Sequence, residues 1–298
     1  VLTDQAKELL ASGHRACPGC GCAIAVRLIL RATGPNVVVV SPTGCLETFS
    51  SPIDFSSWEV PWIHSLFENA PAVASGVLAA LNVNGNPDKT KVIVIAGDGS
   101  TYDIGMGSLS GMFERKEEIL YVCYDNEAYM NTGIQGSSAT PYAASSTTTP
   151  AGMNSFGKPE PKKNLPAIAL AHDVPYVATA SIAYPQDLMR KVQKGLNIGG
   201  PAYIHIFCPC NLGWGFEPDL TVEVARMATE TALFPIFEYE NLQLTNVRKI
   251  SRKIAVEKYL QYQKRYKHLL IDPNKSKLQL EYIQEVADQN CDKYGMIR

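Results

Sequence analysis

Residues 92–133, VIVIAGDGSTYDIGMGSLSGMFERKEEILYVCYDNEAYMNTG, constrain the fold of this chain more than any other stretch. Residues 92–96 are a short apolar run rich in β-branched side chains, which predicts a buried strand. Gly97-Asp98-Gly99-Ser100 follows, where two glycines permit a sharp turn and close approach of the backbone to a ligand. Helical spacing runs over 107–115, and 119–124 predicts a second buried strand that leads into Asp125-Asn126. Asp98 and Asn126, 28 residues apart, therefore stand at the carboxyl ends of two strands joined by a crossover helix. In open α/β sheets that rim is where ligands bind.

A carboxylate and an amide oxygen are hard ligands that suit Mg²⁺, which completes its shell with water and phosphate oxygens. The glycine turn and the helix start offer N–H groups to the same phosphates. A lone GDG is also an ordinary βα turn; the second strand-end ligand at the right distance is what favours a site.

Beyond this segment, strands and helices alternate along residues 1–240. Helices are predicted at 5–11, 23–33, 70–81, 168–172, 185–195 and 220–233, and strands at 37–40, 176–180 and 202–207. A loop rich in serine and aromatics covers 49–62, and 235–240 is extended. Such alternation predicts an α/β fold, an open and mostly parallel sheet with helices on both faces. The polar stretch 135–164 is too long for an ordinary connection. Because it leaves directly from the rim, a loop covering an active site is favoured over a linker. Residues 241–298 are basic and amphipathic, with helices at 256–260 and 266–270. They are expected to form a C-terminal arm packing on a partner subunit, a solvated tail beyond Lys275 being the competing reading.

With 298 residues, 46% hydrophobic, 19% charged and a net charge of −2, the composition is that of an ordinary soluble globular protein. No basic block points to nucleic acid, and no apolar run approaches the roughly 20 residues that span a bilayer. The N-terminal residues carry Asp4 and Glu8 and lack an apolar signal core, so a cytoplasmic location is expected. There, eight cysteines read as metal ligands or buried thiols before disulfides.

Cys17 and Cys20 have the CxxC spacing that zinc sites, iron–sulfur clusters and redox sites share. A thioredoxin-type site needs the motif after a strand, and here it precedes the first one. A four-iron cluster needs two more thiolates. Cys45 and one of Cys208 or Cys210 lie at predicted strand ends, on the rim of Asp98 and Asn126. Cys22, Cys123 and Cys291 have no matching ligand role, and Cys123 reads as a small core hydrophobe.

GDGS followed by DNEAYMNTG resembles the thiamine-diphosphate motif of a diphosphate-binding domain. The longer string DNEAYMNTGIQ is similar to the β subunit of pyruvate:ferredoxin oxidoreductases. HRACPGCGCA, TGCLE, PWIHSLFENAPAVASG, TPY, PYVATAS, GW and KYLQYQKRYKHL carry the same resemblance in the same order. It implies the thiamine-diphosphate-binding fold over 1–240, with thiamine diphosphate, Mg²⁺ and one [4Fe-4S] cluster. Carried over position by position, the cluster ligands are Cys17, Cys20, Cys45 and Cys210, with Cys208 competing for the fourth place. Mg²⁺ falls to Asp98, Asn126 and the Ala128 carbonyl. The diphosphate falls to Gly97, Gly99 and Ser100, with Cys45 and Met130 beside the cofactor. Asn131 matches a catalytic asparagine that orients the 2-oxoacid and donates a hydrogen bond to developing charge. The cofactor supplies the carbanion chemistry, and the cluster passes electrons singly to further clusters and ferredoxin.

The family's activating glutamate belongs to a pyrimidine-binding domain, and this chain has no second α/β half. The resemblance therefore implies one subunit of a hetero-oligomer. Alpha/gamma-type subunits would supply the glutamate and substrate contacts, and a delta-type subunit or domain two further [4Fe-4S] clusters. Pyruvate with coenzyme A is the expected chemistry. Oxalate is second, because Gly136 stands where relatives carry Arg and Glu59 where they carry Lys, and coenzyme A phosphates favour basic partners. The competing classes are a zinc-stabilised, non-catalytic interaction subunit and a decarboxylase half that uses thiamine without a cluster. Four placed cysteines speak against the latter.

Overall fold

The computed structural model describes residues 8–52 and 54–297. These form strands β1 (Val37–Pro42), β2 (Trp62–Ser65), β3 (Lys91–Gly97), β4 (Ile119–Asp125), β5 (Ala151–Gly152), β6 (Ser155–Phe156), β7 (Tyr176–Ser181), β8 (Ala202–Phe207), β9 (Phe237–Glu240) and β10 (Gln243–Val247). The helices are α1 (Gly21–Thr33), α2 (Cys45–Ser50), α3 (Ala70–Val83), α4 (Met106–Glu114), α5 (Leu165–Ala171), α6 (Pro185–Leu196), α7 (Asn211–Trp214), α8 (Thr221–Glu230), α9 (Val256–Leu260), α10 (Lys267–Ile271) and α11 (Lys277–Tyr294).

Eight strands make one sheet in the order β10-β9-β7-β8-β4-β3-β1-β2. From β7 to β2 every pairing is parallel, while β9 and β10 add an antiparallel hairpin at one edge. The expected α/β architecture is borne out. Both faces are covered because the central strands are apolar on both sides. Ile93, Ile95, Leu120 and Val122 face α1, α6 and α8; Val92, Val94, Ile119 and Tyr121 face α3, α4 and α5. No helix among the described residues is long and apolar enough to cross a membrane.

Several elements differ from expectation. Of the helix expected at 5–11, residues 5–7 lie outside the described residues and 8–11 are not helical. Their backbone partners come from across space: Ala11 N donates to Ser57 O, and Glu59 N donates to Leu9 O. The loop expected at 49–62 begins inside α2. Beyond Lys275 the chain forms α11, whose Leu280, Ile283 and Ala287 are buried, so this part is not a solvated tail. Val256, Leu260, Leu269 and Ile283 share one core with β4 and β8. The 135–164 stretch has only the β5–β6 hairpin as regular structure, yet it is pinned down, with Ser137, Thr140, Ala143 and Ala144 buried.

Candidate cofactor site

Parallel register brings the ends of β1, β3, β4 and β8 level. Gly97 pairs with Tyr124 and Asp125 with Phe207, so the chain leaves the sheet at Thr43, Asp98, Asn126 and Cys208 along one rim, with Cys45 at the start of α2 just beyond. From β1 the chain moves outward to β2, and from β3 it moves the opposite way to β4; ligands bind at such a switch point. A cavity opens there. Its walls include all nine residues expected on the cofactor side: Cys45, Gly97, Asp98, Gly99, Ser100, Asn126, Ala128, Met130 and Asn131. Thr43, Gly44, Phe67, Tyr124, Tyr129 and Thr132 complete it. Sequence reasoning missed these six, since an aromatic, threonine or glycine beside a turn has no local signature of a wall residue.

The glycine turn works differently from the expectation. Neither Gly97 nor Gly99 has a positive φ. Instead a π-helical turn, Ser100–Ile104, leads into α4, closed by Gly105 N donating to Ser100 O at 2.8 Å. Such turns are common at functional sites. Gly99 is required for room, since a Cβ there would stand 2.3 Å from the Tyr129 ring, whose hydroxyl donates to Asp103. The Ser100 hydroxyl donates to Phe67 O at 2.6 Å.

Asp98 is buried, and its Oδ2 accepts from Ser137 Oγ at 2.6 Å. One end of the Asn126 amide lies 2.8 Å from Asp98 Oδ1 and 2.9 Å from Ala128 O. With the nitrogen at that end, Asn126 donates to both; with the oxygen there, three oxygens converge on one point. Burial, with the neighbouring Asp125 second, pushes the Asp98 carboxyl well above the usual carboxylate range.

Behind the turn lies a buried ionic network that sequence reasoning did not find. Asp125 pairs with Lys162 and, at 2.7 Å, with His205 Nε2. Burial alone would raise the Asp125 carboxyl, but Lys162 and then His205 hold it at about 2. Glu127 pairs with Lys162 at 2.8 Å and with Arg265 at 2.6 Å. DNEAYMNTGIQ and KYLQYQKRYKHL both carry the family resemblance, but neither string says that Glu127 and Arg265 meet.

All eight cysteines are free thiols, and they divide by burial. Cys22, Cys123, Cys208 and Cys291 are buried, whereas Cys17 is exposed and Cys20, Cys45 and Cys210 are partly so. Burial pushes the Cys45 thiol up to about 12, with Cys210, Cys20, Asp98 and Cys17 adding to it. Burial likewise takes Cys210 to about 11, helped by Cys20 and Cys17 and opposed by the Gly213 N–H. The four expected ligands thus feel one another. The CPC loop also meets the CPGCG turn directly, since a Cβ on Gly21 would stand 2.6 Å from Pro209 O. Among the described residues, no three His, Cys, Asp or Glu side chains are gathered to hold a single metal ion.

Residues 42–206 match the family described as thiamine pyrophosphate enzyme, C-terminal TPP binding domain. The chain is 56% identical over 290 residues to the pyruvate synthase subunit PorB of Methanosarcina barkeri, covering 97% of this chain and 98% of that protein. It is 44% identical over 276 residues to the ketoisovalerate oxidoreductase subunit VorB of Pyrococcus abyssi, covering 90% of this chain and 88% of that one. Among solved structures, the 2-oxoglutarate:ferredoxin oxidoreductase from Magnetococcus marinus superposes with a TM-score of 0.56 at 28% identity. That match covers 66% of this chain and 64% of the other, just under two thirds of its length. A thiamine-binding domain match over this sheet and near full-length likeness to such subunits lead to one conclusion: the chain belongs to the thiamine-diphosphate-dependent 2-oxoacid:ferredoxin oxidoreductases, as the β-type subunit of a multi-subunit enzyme.

Proposed function

We propose that this subunit oxidises pyruvate with coenzyme A, holding Mg²⁺ through Asp98, Asn126 and Ala128 and a [4Fe-4S] cluster through Cys17, Cys20, Cys45 and Cys210. The approach of the Asn126 amide to Asp98 Oδ1 and Ala128 O, at 2.8 and 2.9 Å, carries the reading. With the Asn126 oxygen at that end, a buried carboxylate and two further hard oxygens fit a magnesium ion, which would also offset the burial that raises Asp98. The thiol set suits iron. A single zinc ion asks for four ligands within roughly 2–2.3 Å, a tighter gathering than these thiols make, whereas a four-iron cluster takes each thiolate on a separate iron.

Bound at this rim, thiamine diphosphate would supply the carbanion chemistry and the cluster a one-electron acceptor. Asn131, on the cavity wall, would orient the 2-oxoacid by its amide. Gly97 and Gly99 let the backbone close on the diphosphate. Met130 fills the space between the cavity and Cys210 with an apolar thioether and keeps water from it.

Pyruvate is preferred because the relative at 56% identity is a pyruvate synthase subunit, against 44% for the ketoisovalerate one. The missing arginine at Gly136 does not leave its surroundings without positive charge, since Lys158 and Lys163 line the same cleft. Alpha/gamma-type subunits would bring the activating glutamate, and a delta-type subunit two clusters on the way to ferredoxin, in the cytoplasm. Ile271 and Leu278, exposed on the C-terminal arm, are the contacts offered to a partner. The test is viologen dye reduction by the intact complex with pyruvate or oxalate, with and without coenzyme A, alongside iron and thiamine analysis. Coenzyme-dependent turnover of pyruvate is expected; coenzyme-independent turnover of oxalate would replace it.

A further inference from the structure

We infer that Arg265 is a positioning residue for the proposed metal-binding turn, a role for the C-terminal segment inside the cofactor site itself. The inference rests on the reading that Asp98, Asn126 and Ala128 hold the cation. Glu127, between two of those ligands, has φ of 66°, a left-handed conformation that residues other than glycine seldom adopt. Such strain persists only where the surroundings over-determine it. Here they do. Arg265 Nη2 donates to Glu127 Oε2 at 2.6 Å and Lys162 Nζ to Glu127 Oε1 at 2.8 Å. Thr140 Oγ1 donates to Glu127 O at 2.6 Å. With both carboxylate oxygens engaged, Glu127 is anchored and turned away from the cation.

Arg265 is fixed in turn. It is buried, its Nε donates to Gln263 Oε1 at 2.8 Å, and its guanidinium stacks 3.8 Å from the Trp214 ring. Trp214 Nε1 donates to Asn126 O at 2.9 Å. Arg265 therefore braces the turn twice, on Glu127 directly and on Asn126 through Trp214. The result is a backbone that sets the Asn126 amide between Asp98 Oδ1 and the Ala128 carbonyl. The KYLQYQKRYKHL segment thus reaches the proposed site although it lies far along the chain.

The test uses the full complex, stripped of metal and resupplied with thiamine diphosphate, and Mn²⁺ titration followed by EPR. Arg265→Gln and Glu127→Gln should each raise the Mn²⁺ dissociation constant about tenfold or more, as loss of a ligand-orienting partner does. The double variant should lose less than the two single losses multiplied together, since both cut the Arg265–Glu127 tie. Arg265→Lys should restore part of the loss, keeping the charge but not the planar fork or the stacking. Should Arg265→Gln fail to fold, Glu127→Gln, which preserves size, decides alone. Unchanged Mn²⁺ affinity in folded Glu127→Gln overturns the inference while leaving the metal site standing. An Asp98→Asn variant that binds Mn²⁺ like wild type overturns the metal reading, and this inference falls with it.

Discussion

Gly213 has no side chain, and Met130 occupies the space one would need: a Cβ there would stand 2.2 Å from Met130 Sδ and 3.4 Å from Cys210 Sγ. A residue of the cofactor cavity is thus packed against the helix that follows Cys210. Gly213→Ala should push the flexible Met130 side chain into the cavity at little cost in stability and weaken thiamine diphosphate binding severalfold. Thermal unfolding and thiamine diphosphate titration measure both effects. Adding Met130→Ala should recover the binding, and failure to do so would locate the effect elsewhere.

Cys208 and Cys210 stand two residues apart but face different surroundings. Cys208 is fully buried, while Cys210 is partly exposed and accepts a hydrogen bond from Gly213 N at 3.3 Å. Cys210→Ser should therefore lower iron content and the EPR signal of the dithionite-reduced protein, while Cys208→Ser should leave both largely intact. The reverse ranking would move the fourth ligand to Cys208.

Trp214→Phe keeps an aromatic ring beside Phe207 and Arg265 but removes the donor to Asn126 O. Loss of a buried hydrogen bond of this kind costs about 1–3 kcal/mol. Chemical denaturation should show that loss, and thiamine diphosphate should dissociate more readily. A variant with wild-type cofactor retention would show that the turn holds its shape without this bond.

Glu238, far from the site, should govern part of the acid stability. It is buried, which alone would raise its carboxyl. Hydrogen bonds from Arg190, from Asn246 at 2.8 Å and from Tyr176 at 2.8 Å hold it at about 2 instead. A folded value below the unfolded one gives stability that is fully present above about pH 4.5 and is lost as pH falls toward 2. Glu238→Gln should cost about 3 kcal/mol at neutral pH and flatten the stability profile over that window. Denaturant midpoints across the pH range read the difference, and parallel profiles would count against it.

The sequence alone determined the central parallel strands, the rim and nine of the residues gathered on it. Runs such as residues 92–96 and 119–124 are apolar on both faces, and only a strand covered on both sides satisfies that. The shared rim position of Asp98 and Asn126 follows because parallel strands joined by a crossover end on one side. What lay beyond reach was decided by contacts between distant segments. Leu9 and Leu10 were expected in a helix, yet that segment takes its backbone partners from residues 57–59. The arm beyond 241 looked like a surface for others, yet it places Arg265 against Glu127. Gly99 suggested a turn, and its need is space for Tyr129. Hydrophobic periodicity and turn chemistry are written over a few neighbouring residues. The partner of a buried charge, or the ring that fills a gap, is set by which segments meet across space, and that only the tertiary structure decides.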